Sequence, residues 1–162
     1  GDAVYKTKKL IKNKYFLMLL PDDLIIKKNC SKDMIKVHNK YKSSVMASMK
    51  VRKNTVSRWG IYDLKKKLSK NDFLINRVIE KPSINTAPSN KAVIGRYILP
   101  KTIFNKLSKQ KKGKGGEIHI TDSIQSLITD GEKFIAHNFI GSYLDCGTMD
   151  GFINSNKKIG IL

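Results

Sequence analysis

At 162 residues the chain is long enough to bury one core. Its 40% hydrophobic and 28% charged residues read as a soluble, globular protein. No apolar run nears the roughly 18–20 residues that cross a bilayer, and the N-terminus carries no apolar signal segment, so no membrane partner is expected. The net charge of +19 points first to nucleic acid or another anionic surface. Of the 32 cationic residues, however, only Arg52, Arg58, Arg77 and Arg96 are arginine. Base readers favour arginine for its bidentate fork. Lysine with abundant Ile and Asn instead fits codon drift toward A and T, which fills solvated faces without a partner. No nucleic-acid partner is therefore expected, and anionic substrates such as nucleotides fit either origin of the charge. Cys30 and Cys146 lie far apart, with no CxxC and no Cys/His cluster. That argues against structural zinc and for a reducing, cytoplasmic compartment.

Along the chain, strands and helices alternate. Residues 2–13 read as a Lys-rich helix end. Residues 15–20 form an apolar strand stopped by Pro21-Asp22-Asp23. Ser31 is a candidate N-cap for a helix over 32–42. A strand follows at 44–49, then a polar connection over 51–58. Residues 59–62 and 73–80 read as strands, with 65–70 as a solvated turn or loop between them. Two prolines make 82–88 a loop. A strong strand at 92–99 ends at Pro100, a short helix fits 101–108, and 109–116 is a Lys/Gly loop. Thr121 or Asp122 can cap a helix to about residue 129, 133–140 reads as a strand, and Thr148 or Asp150 can start a last helix. This alternation, with apolar strand runs, predicts an α/β fold with a mixed, mainly parallel sheet.

In such sheets ligands sit beyond the carboxyl ends of strands. Four segments fall there: Pro21-Asp22-Asp23, Gly60, Glu80-Lys81-Pro82 and Asp145-Cys146-Gly147. Asp22 and Asp23 follow a buried strand, where a carboxylate can take part of a Mg²⁺ shell or simply shape a turn. Glu80 can accept hydrogen bonds from sugar hydroxyls while Lys81 offers a point charge for phosphate; the same pair can equally be a solvated strand exit. Gly60 admits a ligand close to the backbone, or marks a bulge. Gly113-Lys114-Gly115-Gly116-Glu117 lacks the spacing of a phosphate loop. His38, His119 and His137 show no metal or triad spacing.

Taken together, these pieces resemble the bacterial-type UTP–glucose-1-phosphate uridylyltransferases. The matching order is Gly1-Asp2-Ala3-Val4, Leu20-Pro21-Asp22-Asp23, Trp59-Gly60-Ile61 and Val78-Ile79-Glu80-Lys81-Pro82. It continues through Ala87-Pro88-Ser89-Asn90, Val93-Ile94-Gly95-Arg96-Tyr97-Ile98-Leu99, the Gly113 to Asp122 stretch and Asp145-Cys146-Gly147. It runs from Gly1 to about Phe152, and it resembles these enzymes more than the related thymidylyltransferases. Each motif alone is weak; their order is specific.

The resemblance implies a Rossmann-like, nucleotide-diphospho-sugar transferase fold in a single nucleotidyltransferase domain over 1–162. It also implies a reaction in which glucose 1-phosphate attacks the α-phosphate of UTP, giving UDP-glucose and pyrophosphate. Catalysis would rest on positioning and on charge neutralisation by Mg²⁺ and Lys. Carried over by position, Asp22 would bind Mg²⁺ and Asp145 would stand at or near the same metal. Glu80 and the backbone at Gly60 and Gly95 would hold glucose hydroxyls, and Lys81 would face the sugar phosphate. Gly1 and Ala3 would border uracil, with Asp2 where the family usually has His. Asp23, where the family is often apolar, reads as a bystander. Nothing here matches the family's first strand and Gly-x-Gly-Thr-Arg loop, which cradles the UTP phosphates. The expectation is therefore an incomplete sheet with a free, apolar edge, a chain with little activity alone, and a homo-oligomer at full length.

Overall fold

The structure is a computed structural model that describes residues 1–110, 116 and 118–160. Positions 113–115 and Glu117 of the glycine-rich motif lie outside the described residues. The chain opens with a short helix α1 (Asp2–Lys6) and a 3-10 turn (Thr7–Lys9), so the helix expected over 2–13 is much shorter. Strand β1 (Tyr15–Leu19) follows, then β2 (Asp23–Ile26), helix α2 (Cys30–Tyr41) and β3 (Ser44–Lys50). A 3-10 turn (Lys53–Arg58) leads to the hairpin β4 (Gly60–Lys67) and β5 (Asp72–Glu80), and then to β6 (Lys91–Pro100). Helices α3 (Ile103–Leu107) and α4 (Ile120–Thr129) precede β7 (Phe134–Asn138), β8 (Ser142–Asp145) and α5 (Met149–Ile159).

Local chemistry explains most boundaries. The Asn29 side chain, not Ser31, caps α2 by accepting from the Lys32 amide at 2.9 Å. Thr148 caps α5 through the Gly151 amide at 3.0 Å, as expected. Helix α4 begins at Ile120 with His119 at the N-cap position, two or three residues before the expected cap at Thr121 or Asp122. The lysines 65–67 lie in β4 rather than in a turn, with their side chains in solvent. Solvated strand lysines carry no apolar alternation, so pattern alone misplaces them.

Six strands form one sheet in the order β1-β6-β3-β7-β5-β4, and β2 and β8 form a separate pair. The expected mixed sheet is present, but parallel pairing does not dominate it. Among the described residues only β3–β7 is parallel; β1–β6, β3–β6, β5–β7 and β4–β5 are antiparallel. The reason lies in the connections. Residues 68–71 between β4 and β5 are too few for a crossover, so those strands must form a hairpin. Strand β6 runs opposite to both of its neighbours. Strand β4 also touches β6 through Ile61 and Ala92, which curls the far edge back over the sheet.

Helices cover both faces. On one, Cys30, Met34 and Val37 of α2 pack on Val45, Ala47, Ile94, Ile98 and Ile135. On the other, Ile103, Phe104 and Leu107 of α3 and Ile124 and Leu127 of α4 pack on Met46, Tyr62, Tyr97 and Phe134. Two-sided burial is why β3 and β6 read as continuous apolar runs. Strand β1 ends the sheet, and Leu17 and Leu19 on it are 39% and 49% exposed. A free apolar edge was the expectation. Among the described residues no helix is long and apolar enough to cross a membrane.

Between β3 and β6 the register moves from Met46↔Tyr97 to Ala47↔Ile94. Gly95 and Arg96 are therefore extra residues on β6, a bulge that turns them toward the end of β1, where Arg96 pairs with Leu19. This bulge positions the candidate site.

Candidate active site

Two corners carry the predicted residues. The first is built by the β4–β5 hairpin. Gly60 and Glu80 are direct cross-strand partners. A Cβ at Gly60 would stand 3.1 Å from Glu80 Oε2, so the missing side chain is what leaves the carboxylate room over the strand. Lys81 follows in the left-handed region at φ 46°, and its amide donates to Trp59 O at 3.0 Å. A non-glycine residue in that conformation is uncommon and turns the chain sharply. Glu80 and Lys81 are both solvent-exposed.

The second corner gathers carboxylates. Strand β2 pairs antiparallel with β8 so that Asp23 faces Asp145 across the ladder. The exposed Asp22 sits in the turn just before β2, and its carbonyl accepts the Cys146 amide at 2.8 Å. Asp145 Oδ1 accepts the Gly147 amide at 3.0 Å. A Cβ at Gly147 would stand 2.8 Å from Asp22 Oδ2 and 3.5 Å from Asp145 Oδ1. Both carboxylates thus face the same glycine, which keeps the space between them open. The Arg58 guanidinium lies 3.7 Å from Asp145 Oδ2, an exposed pair that trims repulsion without adding much stability.

Asp23 is engaged differently. Its Oδ2 accepts the Gly95 amide at 2.5 Å and its Oδ1 accepts the Tyr143 hydroxyl in a short hydrogen bond. Burial, and then that bond to Asp23, push the Tyr143 hydroxyl well up from its ordinary range. The Tyr143 ring stands edge-on to Trp59, with centroids 5.8 Å apart. Arg96 Nη1 donates to Leu20 O at 2.8 Å and to Gly95 O at 2.9 Å, and Nη2 donates to Asp23 O. Tyr97, buried between β6 neighbours in the core, lies within electrostatic reach of both corners. Its hydroxyl is raised first by burial and then by the charges of Asp23, Glu80 and Asp22.

The predicted residues therefore divide. Asp22 and Asp145 come together, as do Gly60, Glu80 and Lys81. Gly95 departs from its expected role. Its N–H is taken by Asp23, and its carbonyl accepts from both Leu20 N at 2.8 Å and Arg96. Its polar groups are thus committed within the protein, and a glycine is needed there because a Cβ would collide with Asp23 Oδ2 and lie 2.6 Å from Leu20 Cβ. Gly1 caps α1 and packs against Ile118, and Ala3 is exposed on α1. Sequence alone missed Tyr143, named Arg96 and Gly147 only as members of motifs without a role, and set Asp23 aside. Short strands at 23–26 and 142–145 were the available signal, but four residues are too few to show alternation.

With this geometry in hand, the chain can be set beside known proteins. Residues 1–160 match the family described as nucleotidyl transferase. The chain belongs to that family. A UTP–glucose-1-phosphate uridylyltransferase of Pseudomonas aeruginosa is 35% identical over 161 residues, which cover 97% of this chain and 57% of that protein. UTP–glucose-1-phosphate uridylyltransferase 1 of Staphylococcus saprophyticus is 34% identical over 162 residues, covering 99% of this chain and 56% of that protein. A crystal structure of UDP-glucose pyrophosphorylase complexed with UDP-glucose is 36% identical, with a TM-score of 0.91. The similarity covers 98% of this chain and 61% of that one. The nucleotidyl transferase chain thus spans a little over half the length of these relatives. The nucleotide-diphospho-sugar transferase fold expected from the sequence is the fold observed.

Proposed function

We propose that the protein forms UDP-glucose and pyrophosphate from UTP and glucose 1-phosphate. The observation that carries this reading is the convergence of Asp22 and Asp145 on Gly147, together with the Gly60–Glu80 pair, in a chain similar to a UDP-glucose-bound structure. The hairpin corner suits a sugar phosphate, and the carboxylate corner suits a cation beside it. The Glu80 carboxylate, standing over Gly60, accepts hydrogen bonds from hydroxyls of the hexose. The Lys81 ammonium neutralises its phosphate. A phosphate oxygen of the sugar then attacks the α-phosphorus of UTP. The new P–O bond forms as the bond to the β-phosphate breaks, and pyrophosphate leaves with the electron pair. No side chain need bond to the substrate, so the protein contributes placement and charge.

The carboxylate corner fits Mg²⁺. Two carboxylates facing an open space, with remaining positions left to water and phosphate, are the donor set this cation prefers. Asp22 and Asp145 would hold it, and it would neutralise charge on the transferring phosphate. Asp23 would not join them, because both of its oxygens are engaged.

The test is product formation by the chain alone, and by the chain mixed with the part of the P. aeruginosa relative that lies outside the match. UDP-glucose binding is followed in parallel by titration calorimetry. Binding that needs Glu80, with product at least in the mixture, is expected. No binding and no product in either sample overturns the reading.

A further inference from the structure

Asp22 lies outside any regular strand. It stands in the turn between β1 and β2, and a turn has no ladder to fix it. What fixes this one is a set of contacts from two distant segments, the β6 bulge and the end of β8. The Cys146 amide holds Asp22 O at 2.8 Å, and the Gly95 carbonyl holds the Leu20 amide at 2.8 Å. The guanidinium of Arg96 bridges Leu20 O, Gly95 O and Asp23 O. At the centre is the Asp23 carboxylate, with one oxygen on the β6 bulge at Gly95 and the other on Tyr143 of β8. Tyr143 in turn rests against Trp59, the residue whose carbonyl receives the Lys81 amide. One carboxylate thus ties the turn carrying Asp22 to the β6 bulge and, through Tyr143 and Trp59, to the start of the hairpin corner.

We infer that Asp23 is a positioning residue: its carboxylate clamps the Asp22 turn to Gly95 and Tyr143 and so sets the spacing of the Asp22–Asp145 pair. This rests on the metal role proposed for that pair. Asp23 is not itself a ligand, since its two oxygens are already occupied by a backbone N–H and a phenol. Its proximity to Asp22 and Asp145 would otherwise be a liability, because three carboxylates crowd one corner. Donation from the Gly95 amide and the Tyr143 hydroxyl to the Asp23 carboxylate, with the Arg96 guanidinium bonded to the Asp23 carbonyl beside it, offsets that repulsion. Gly95 belongs to the same device, as the only residue type that leaves Asp23 space to reach the β6 backbone.

The test uses the chain 1–162 and two readouts besides turnover. Mn²⁺ binding is followed by water-proton relaxation, and amide hydrogen exchange is followed at Leu20, Gly95 and Cys146. Asp22→Asn removes Mn²⁺ binding and leaves exchange unchanged. Asp23→Asn can keep one arm of the clamp, with its amide oxygen accepting from Gly95, and weakens Mn²⁺ about tenfold. Asp23→Leu loses both arms, weakens Mn²⁺ further and speeds exchange at all three amides by about tenfold or more. Tyr143→Phe removes one arm alone and shifts both readouts in the same direction by less. Unchanged exchange in Asp23→Leu, or Mn²⁺ affinity equal to that of the unaltered chain, overturns the clamp. So does loss of Mn²⁺ in Asp23→Asn as complete as in Asp22→Asn, which would make Asp23 a ligand. Faster exchange in Asp23→Leu, with no Mn²⁺ bound even by the unaltered chain, would overturn the proposed spacing role. It would sink the metal reading of Asp22 and leave the clamp only as the organiser of the turn.

Discussion

The two corners of the candidate site are assembled in opposite ways. Gly60, Glu80 and Lys81 sit on neighbouring strands of one hairpin, and a single ladder sets their spacing. Asp22 and Asp145 are separated by most of the chain. They meet only because β2 pairs with β8 and because Asp23, Gly95, Arg96 and Tyr143 lock a turn in place. A hairpin corner depends on local pairing and tolerates change elsewhere. A corner made from three distant segments is set by every one of them. Perturbations should therefore spread further from the carboxylate corner than from the hairpin corner.

The largest effects are expected at the charges themselves. Asp22→Asn and Lys81→Ala should each lower UDP-glucose formation by about 100-fold or more, the usual cost of removing a positioned charge. Neither side chain makes a described hydrogen bond or ion pair, and both are exposed, so the melting temperature should stay near that of the unaltered protein. Steady-state kinetics with thermal melts checks both. A near-normal rate in either variant would break the assignment of its corner, and a large melting shift would mean that its charge serves the fold.

The same contrast explains what the sequence revealed. Glu80, Lys81 and Gly60 are legible because short motifs at strand ends carry their own context. Asp22 and Asp145 are legible as residue types after apolar strands, but nothing in their spacing says that they face one glycine. Asp23 looked idle because its partners, Gly95 and Tyr143, lie 72 and 120 positions away in sequence. Strand direction misled for a related reason. Apolar runs at 44–49 and 92–99 show burial on both faces, and such runs usually mean parallel strands. Here the helices α2, α3 and α4 supply that burial over an antiparallel pair. The lysines of β4 hid their strand because solvent, not packing, receives them.

Two glycine substitutions sharpen the comparison at the next level of effect. Gly95→Ala inserts a methyl against Asp23 Oδ2 and the Leu20 Cβ, atoms held by backbone and by the clamp. Overpacking of that kind costs about 1–3 kcal/mol, and the Asp22 turn should move with it. Gly60→Ala places its methyl 3.1 Å from the Glu80 carboxylate oxygen, the exposed end of a side chain that can swing aside, and 3.3 Å from Val93 Cγ2, which needs to give by only a few tenths of an ångström. Stability should change little, while displacement of Glu80 should weaken glucose 1-phosphate binding by about tenfold, the loss of roughly one hydrogen bond to a charged group. Thermal denaturation and KM for the sugar phosphate separate the two. Equal destabilisation by both substitutions would erase the distinction between the corners.

The smallest expected effect is read through the cysteines, both free. Cys30 is 4% exposed at the start of α2, in a cleft it shares with Leu19 and Arg96 behind the carboxylate corner. Burial pushes its thiol up to about 11, with Arg96 opposing the shift and Asp33 adding to it. Because the thiolate is the form that reacts, alkylation of Cys30 at pH 8 should run about 100-fold slower than that of an ordinary thiol, beyond any steric protection. The sign for stability follows. The folded chain holds Cys30 protonated where the unfolded chain ionises, so this contribution is intact below about pH 9 and declines as pH rises toward 11. Cys146, half-buried beside Asp22, should label first. Asp23→Leu should then quicken Cys30 labelling, since freeing the clamp frees Arg96 over the same cleft, whereas Gly60→Ala should leave it unchanged. Mass spectrometry of iodoacetamide adducts over time distinguishes these cases. Equal acceleration by both variants would show that the two corners loosen as one.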